Sequence, residues 1–358
     1  MRIVVDVTPL ALPRTGIGNF VRGMLAGLLE AGEGRHEVVA LAATGLPGRR
    51  HVEASLDGLP LDRRLVTLPL ARAWRTGWNR LRWPPVERVA GPLDVFHFSD
   101  WMYPPQRGGL RATTIHDLVP LRFPELVHAR TVRMHGAKYR NASACDVVFA
   151  NSQFTAEDIV ERLGLPGDRI RVAYPGTDPR FGPEGRRADL GAPYILTVST
   201  LEPRKNLEML LEAFSLLRRS RPELLLAVVG GVATGASAPA AGEQVRLLGY
   251  VSDDELAALY RGAAAFAYPS TFEGFGIPVV EALASGVPTL VSAHPSLDEA
   301  AGQAALRADP SSAEAFAEAL EQTLEHGTER RKAGLAHAGR FTWRACGEAV
   351  LGGYESVL

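Results

Sequence analysis

The feature that most constrains this chain is an alternation of short apolar runs with longer amphipathic segments, carried out twice on either side of a Pro/Gly-rich seam. In the first half the apolar runs fall at residues 2–7, 36–43, 94–100, 112–120, 145–152 and 169–178, six strands interleaved with helices. Strands that alternate with helices form parallel, doubly wound sheets, because parallel neighbours need a long crossover. Residues 179–193, PRFGPEGRRADLGAP, carry three prolines, three glycines and no apolar rhythm, and read as a linker. A second series starts at 194–200 and continues through 224–231, a short run after 244 and 266–269. The expected division is a first domain over 1–178, a linker over 179–193, a second domain over 194–340 and a final segment over 341–358. A length of 358 residues is comfortable for two such domains.

Charge nearly balances, with 39 basic against 40 acidic residues, so no global field recruits nucleic acid or an anionic membrane. The N-terminal MRIVVDV reads as a strand without the apolar core of a signal peptide. No stretch approaches the roughly 20 apolar residues of a spanning helix, and a cytoplasmic location is expected. Cys145 and Cys346 make neither a disulfide framework nor a zinc site. Lysine occurs only at 138, 205 and 332 while arginine is abundant, a bias typical of GC-rich bacterial genomes, and Lys205 stands out against it. Residues 71–91 place Trp74, Trp78 and Trp83 among Arg72, Arg75, Arg80, Arg82 and Arg88. That mix suits weak peripheral contact with a membrane or an anionic acceptor. It equally suits a helix that buries its tryptophans, cut short at Pro84-Pro85.

Residues 266–281, FAYPSTFEGFGIPVVE, run from a short strand through Ser270 and Thr271 into a turn with Gly274 and Gly276, then into a helix. Glycines at such a junction let the backbone approach a ligand, and the helix start offers free amides and a positive dipole end. Glu273 precedes the turn and Glu281 lies about a turn inside the helix. Taken alone, this is a Gly-rich turn with two solvated carboxylates or a site for a ligand rich in hydroxyls and phosphate. Arg204 and Lys205 stand where the strand 194–200 hands over to a helix, so they could neutralise a diphosphate or simply face water. His116 ends the run 112–120, where ligands of open α/β sheets collect, and a structural histidine is the other reading. Gly16 and Gly18 precede the amphipathic run 20–29 without the third glycine of a dinucleotide fingerprint. The Ala/Gly/Ser/Pro run 232–242 reads as a mobile loop, and Ser252 with Glu255 as a capping box.

EGFGIPVVE, from Glu273 to Glu281, resembles the Glu-x7-Glu motif of family 4 retaining glycosyltransferases. The sequel ALASGVPTLVS at 282–292 is similar to the same family's next helix, turn and strand. EPRKN at 202–206 matches its basic turn, and HDLVPLRFPE at 116–125 resembles the mannosyltransferase-like branch. Two departures stand out: Ser199 where the family usually has Gly, and Asp298 in place of the Pro of a Pro-Glu pair that ends here in Glu299.

The resemblance covers essentially the whole chain and implies a GT-B fold: two Rossmann-like domains facing across a cleft, with residues 341–358 as a helix returning to the first. It implies retaining transfer of a hexose-type sugar from a nucleoside-diphosphate donor, GDP-mannose favoured, to the hydroxyl of a glycan, lipid-linked or natural-product acceptor. By the same resemblance His116, Arg204, Lys205 and Glu273 are the catalytic set. Gly16, Gly18, Ser199, Gly249, Val251, Gly274, Phe275, Gly276, Ile277 and Glu281 would line the donor site, with Glu281 on the ribose. No Asp-x-Asp metal clamp presents itself, so neither metal nor cofactor is expected. A nucleotide-sugar epimerase, a pyridoxal-dependent phosphorylase-like enzyme and a non-catalytic nucleotide-sugar-binding protein are the competing readings.

Overall fold

The computed structural model describes residues 1–12, 16–99, 102–231 and 244–358. The run 232–242, expected as a loop, lies outside the described residues. The chain divides into two units, Met1–Gly176 with Thr342–Leu358, and Thr177–Phe341.

The first unit is built on seven strands: β1 Arg2–Asp6, β2 Glu37–Thr44, β3 Asp62–Thr67, β4 Val95–Phe98, β5 Leu110–Ile115, β6 Val147–Ala150 and β7 Ile170–Val172. They pair in parallel in the order β3-β2-β1-β4-β5-β6-β7, reversing direction of growth between β1 and β4. Strands β4 and β6 are buried at every residue because both faces of the sheet are covered. Strand β3 escaped the sequence pattern because it is an edge strand whose Asp62, Arg63 and Arg64 face solvent. The run 112–120 is shorter as a strand than its composition suggests. It stops at Ile115, and the Asp117 carboxylate accepts the Val119 N–H at 2.9 Å to start a helical turn at Val119–Arg122.

The terminal helix Trp343–Glu355 belongs to this first unit and lies against the helix Gly16–Gly32. Glycines set their separation. A Cβ at Gly27 would sit 1.9 Å from the Trp343 carbonyl oxygen, and one at Gly347 would sit 2.1 Å from that of Gly27. Farther along, buried His97 on β4 pairs with the Tyr354 hydroxyl at 2.6 Å and with Thr114 on β5 at 2.9 Å. Burial pushes the His97 imidazole down to about 3, so it ties helix to sheet as a neutral ring. Cys145 and Cys346 are buried free thiols, each pushed up to about 12 by burial.

The second unit carries six parallel strands: β8 Tyr194–Val198, β9 Leu225–Val229, β10 Val245–Gly249, β11 Ala265–Tyr268, β12 Thr289–Ser292 and β13 Leu306–Ala308. Their order is β10-β9-β8-β11-β12-β13, with the reversal between β8 and β11. The segment 179–193, linker-like in composition, is packed on this unit. Phe181 is buried 5.8 Å from the Tyr260 ring, and Ala188 donates its N–H to Ala258 at 2.8 Å. The Arg261 guanidinium collects the carbonyls of Arg180, Gly182 and Arg186. One arginine thus satisfies backbone that composition alone leaves to water.

Gly347→Ala should lower unfolding stability by roughly 1–3 kcal/mol, because the added methyl meets backbone that cannot yield. Gly352→Ala on the same helix meets nothing within 4 Å and should be neutral or gain about 0.4–1 kcal/mol. Denaturant unfolding of both variants checks the pair, and equal effects would show that the helix contact is not close-packed.

Candidate active site

In open α/β sheets the crevice for a ligand opens outside the carboxyl ends of the strands, where strand order reverses. In the second unit that point lies between β8 and β11. The chain leaving β8 forms a tight turn at Pro203–Lys205 before the helix Leu207–Leu217. Asn206 holds the junction in the left-handed region at φ 57°, its side-chain amide donating to the Pro310 carbonyl at 2.7 Å. The chain leaving β11 turns at Gly276 into the helix Ile277–Ala284. Gly276 sits at φ 101°, and a Cβ there would lie 2.9 Å from a Leu297 methyl. Only glycine fits both demands.

These two turns bring Arg204, Lys205 and Glu273 together. The Lys205 ammonium ion-pairs with Oε1 of Glu273, and Arg204 Nη1 approaches Oε2 at 3.1 Å. Tyr268 and Ser270 donate their hydroxyls to the same carboxylate, Tyr268 at 3.0 Å, while Lys205 also donates to the Tyr268 oxygen at 3.1 Å. Arg204 additionally binds the Phe272 carbonyl at 2.8 Å and Glu202 at 2.7 Å. Burial alone would raise the Glu273 carboxyl; the charges of Lys205 and Arg204 and the hydrogen bonds from Lys205 and Ser270 outweigh it and hold it at about 2. Burial lowers the Lys205 ammonium, and Glu273 opposes that shift. Two cations and two carboxylates, Glu202 and Glu273, therefore balance. A lysine ammonium has three donors; Tyr268 and Glu273 take two, leaving one for a ligand oxygen.

The backbone of Glu273 is fixed from the other side. Its N–H donates to Ser296 Oγ at 3.0 Å, and that hydroxyl pairs with His294 Nδ1 at 2.8 Å. The His294 ring stands edge-on to Phe272 at 5.6 Å. The loop with the Asp298 departure thus still serves the Glu273 turn through Ser296.

Glu281 is also buried, on the inner side of its helix, and accepts the Tyr260 hydroxyl at 3.1 Å. Burial raises its carboxyl to about 7, against the lowering effect of the Tyr260 hydrogen bond and with the help of Asp178. The Phe275 ring is core, 5.2 Å from that of Phe341, so its side chain does not face a ligand. Gly274 is buried beside it, and Ile277 opens the helix half-buried. Ser199, half-buried where the family usually has glycine, is closely approached from the neighbouring strand end. Gly230, at φ 139°, would place a Cβ 1.8 Å from the Ser199 carbonyl oxygen. Its N–H donates to Gly249, itself at φ 65°, and half-buried Val251 follows.

The remaining candidates lie in the first unit. His116 follows the end of β5 and meets the Phe20 ring edge-on at 4.8 Å. Gly16 and Gly18 form the first turn of the helix that carries Phe20, not a loop before it, and the space beside Gly16 is open. Tyr268, Ser270, Ser296, His294 and Tyr260 were absent from the sequence-derived site. A tyrosine in an apolar strand or helix looks like core, and a serine three residues before Glu273 looks like a turn.

Residues 183–337 match the family described as Glycosyl transferases group 1, and residues 14–181 match Glycosyltransferase Family 4. The chain is 29% identical, over an alignment of 385 positions, to O-antigen chain mannosyltransferase B of Escherichia coli, covering 99% of this chain and 100% of that one. The sucrose-phosphate synthase of Thermosynechococcus elongatus superposes with a TM-score of 0.71 at 18% identity over 99% of this chain and 98% of that one. Anabaena HepE, solved with UDP-glucose, does so at 0.68 and 16% over 99% and 100%. At those identities the two structures speak for the fold alone.

Glu281 titrates near 7 when folded against an ordinary 4.5, so its contribution to stability is full below 4.5 and is lost as pH rises through 7. Glu281→Gln, which cannot ionise, should therefore raise the unfolding midpoint relative to wild type more at about pH 8 than at about pH 5. A difference independent of pH would remove the buried, raised carboxyl from the description.

Proposed function

The chain belongs to the family 4 glycosyltransferases, in their mannosyltransferase-like branch and with the GT-B fold, and from that premise we propose that it is a retaining, metal-independent hexosyltransferase. The donor proposed is a nucleoside-diphosphate sugar, GDP-mannose first, and the acceptor is the hydroxyl of a glycan, lipid-linked or natural-product molecule. The observation that carries this reading is the buried Lys205–Glu273–Arg204 cluster, at the switch point of a sheet and beside a helix start. A relative matched over its full length and named as a mannosyltransferase supports the sugar.

The hard step is departure of the diphosphate, which leaves an oxocarbenium-like sugar. Lys205, Arg204 and the amides opening the helix Ile277–Ala284 meet the charge that develops on the leaving phosphate, each donor contributing about 3–4 kcal/mol. Glu273, with the amides of residues 274–276, holds sugar hydroxyls, and His116 hydrogen-bonds the sugar near its reacting carbon. Glu281 accepts from the ribose hydroxyls in its ionised form. Retention follows if the acceptor oxygen attacks C1 on the face the phosphate leaves. The C1–O bond to the diphosphate breaks, the C1–O bond to the acceptor forms, and the acceptor's proton passes to the departing phosphate oxygen. Gly16 and Gly18, at the start of their helix, are assigned to the diphosphate or acceptor side; Ser199, Gly249 and Val251 to the nucleotide.

With GDP-mannose and a competent acceptor, Lys205→Ala should lower turnover roughly 10²-fold or more while the circular dichroism spectrum stays native. Near-normal turnover would take Lys205 out of its role. The wild-type rate should persist in excess EDTA; complete loss, restored by Mg²⁺ or Mn²⁺, would contradict the metal-free route.

A further inference from the structure

The helix Ala71–Leu81 of the first unit has a well-anchored inner face and, among the described residues, an outer face open to solvent. Inward, Trp78 is buried and donates its indole N–H to the Pro84 carbonyl, Trp74 packs on it at 4.8 Å, and Arg75 donates to the Ala43 carbonyl at 2.8 Å. Outward, the 3–4 spacing of a helix aligns Ala73, Gly77 and Leu81 in one stripe, and Leu70 stands at the helix's N-terminal end. Leu70 is 85% exposed and Leu81 77%, and Trp83, just beyond the helix, is 68% exposed. Among the described residues these are three of the four most exposed large apolar side chains, gathered in fourteen positions. The methyl that Gly77 lacks would meet nothing within 4 Å, so the middle of the stripe is flat.

Charge says what such a face fits. Residues 68–86 hold four arginines and no acidic residue. Arg72, Arg80 and Arg82 are exposed along the stripe. The Arg72 guanidinium reaches Met134 at 3.8 Å on the neighbouring helix Ala129–Ala142, which adds exposed Arg130, Arg133 and Arg140 and again no acid. Leucine and tryptophan flanked by arginine is the composition of a helix lying in the plane of an anionic bilayer. The apolar residues enter the headgroup boundary and the guanidinium groups stay at the phosphates. The arginines of both helices give this rim one sign, which complements an anionic surface.

We infer that this face, Leu70, Leu81 and Trp83 within their arginine border, docks the protein on the surface of an anionic phospholipid membrane. No helix among the described residues is long and apolar enough to cross a membrane, so the contact is peripheral. It goes beyond the donor reading and does not depend on it. It favours, among the acceptors proposed, one presented at a lipid surface.

The test uses the whole chain with vesicles of phosphatidylcholine alone and of phosphatidylcholine mixed with phosphatidylglycerol. Sedimentation should show binding to the mixed vesicles only, weakened by added salt. The double variant Leu81→Glu with Trp83→Glu should bind about tenfold less or worse, since both changes put charge where apolar contact is needed. Both positions face solvent, so its thermal midpoint should match wild type. As a second arm, phosphatidylglycerol with brominated acyl chains should quench tryptophan emission in wild type. Trp83→Phe should still sediment and lose most of that quenching. Equal binding to neutral vesicles, no binding to either kind, or an unaffected double variant would overturn the proposal. So would concentration-dependent dimerisation abolished by the double variant, which would make a second copy of the chain the occupant. Nucleotide binding by the double variant reports on the transferase reading separately and should be unchanged in every case.

Discussion

Lys205 and Glu273 share a nearly dry volume outside β8 and β11, with half-buried Arg204 beside them, and each buried charge is tolerable there because its partners are present. A single charge moved into that position would face a penalty of several kcal/mol, and removal of one partner strands the rest. The surroundings follow from that constraint. Tyr268 and Ser270 fill acceptor sites on the carboxylate that water cannot reach, and Arg204 spends further donors on Phe272 and Glu202. Ser296, held by His294, fixes the Glu273 backbone, while Lys205, Arg204, Tyr268 and Ser270 hold its carboxylate. A paired set this constrained is a preorganised one, which is what electrostatic stabilisation of a leaving group requires.

Backbone geometry sets where the cluster can form. Gly276 must be glycine because its φ is positive and Leu297 crowds it, and it fixes the direction in which the Glu273 turn enters the next helix. At the neighbouring strand end, Ser199 and Gly230 share one tight contact, and the side-chain-free partner is Gly230. The tight contact at the Ser199 carbonyl therefore depends on glycine at 230 and not on the side chain at 199.

Much of this was legible before any coordinates. Buried parallel strands announce themselves as apolar runs, which is why β1, β4, β6, β9 and β11 were found near their true limits. Strand β3 was not, since an edge strand with Asp62, Arg63 and Arg64 on show has no such run. The seam at 179–193 looked like a tether because its partner, Arg261, is some 70 to 80 positions away. In the site, Arg204, Lys205, Glu273 and Glu281 each stood out by motif. The pairing of the first three could not, because the contact spans 68 positions and depends on the order β8-β11. Sequence thus separated what the fold joins: cations for a phosphate and a carboxylate for a sugar turn out to be one another's partners.

That pairing bears on how the proposed reaction would discriminate. With Glu202 and Glu273 opposing Arg204 and Lys205, the cluster carries no net charge to attract phosphates indiscriminately. In the proposed reaction a resting donor diphosphate would gain what Lys205, Arg204 and the helix-start amides supply in the right geometry. As the bond to the sugar lengthened, charge would accumulate on the leaving oxygen, and its interaction with Lys205 and Arg204 would strengthen at the moment it is needed. Energy withheld from the ground state and released toward the transition state raises turnover more than affinity. A lysine held by a carboxylate is in this respect better suited than a bare one, which would bind substrate and product diphosphate alike and release neither readily.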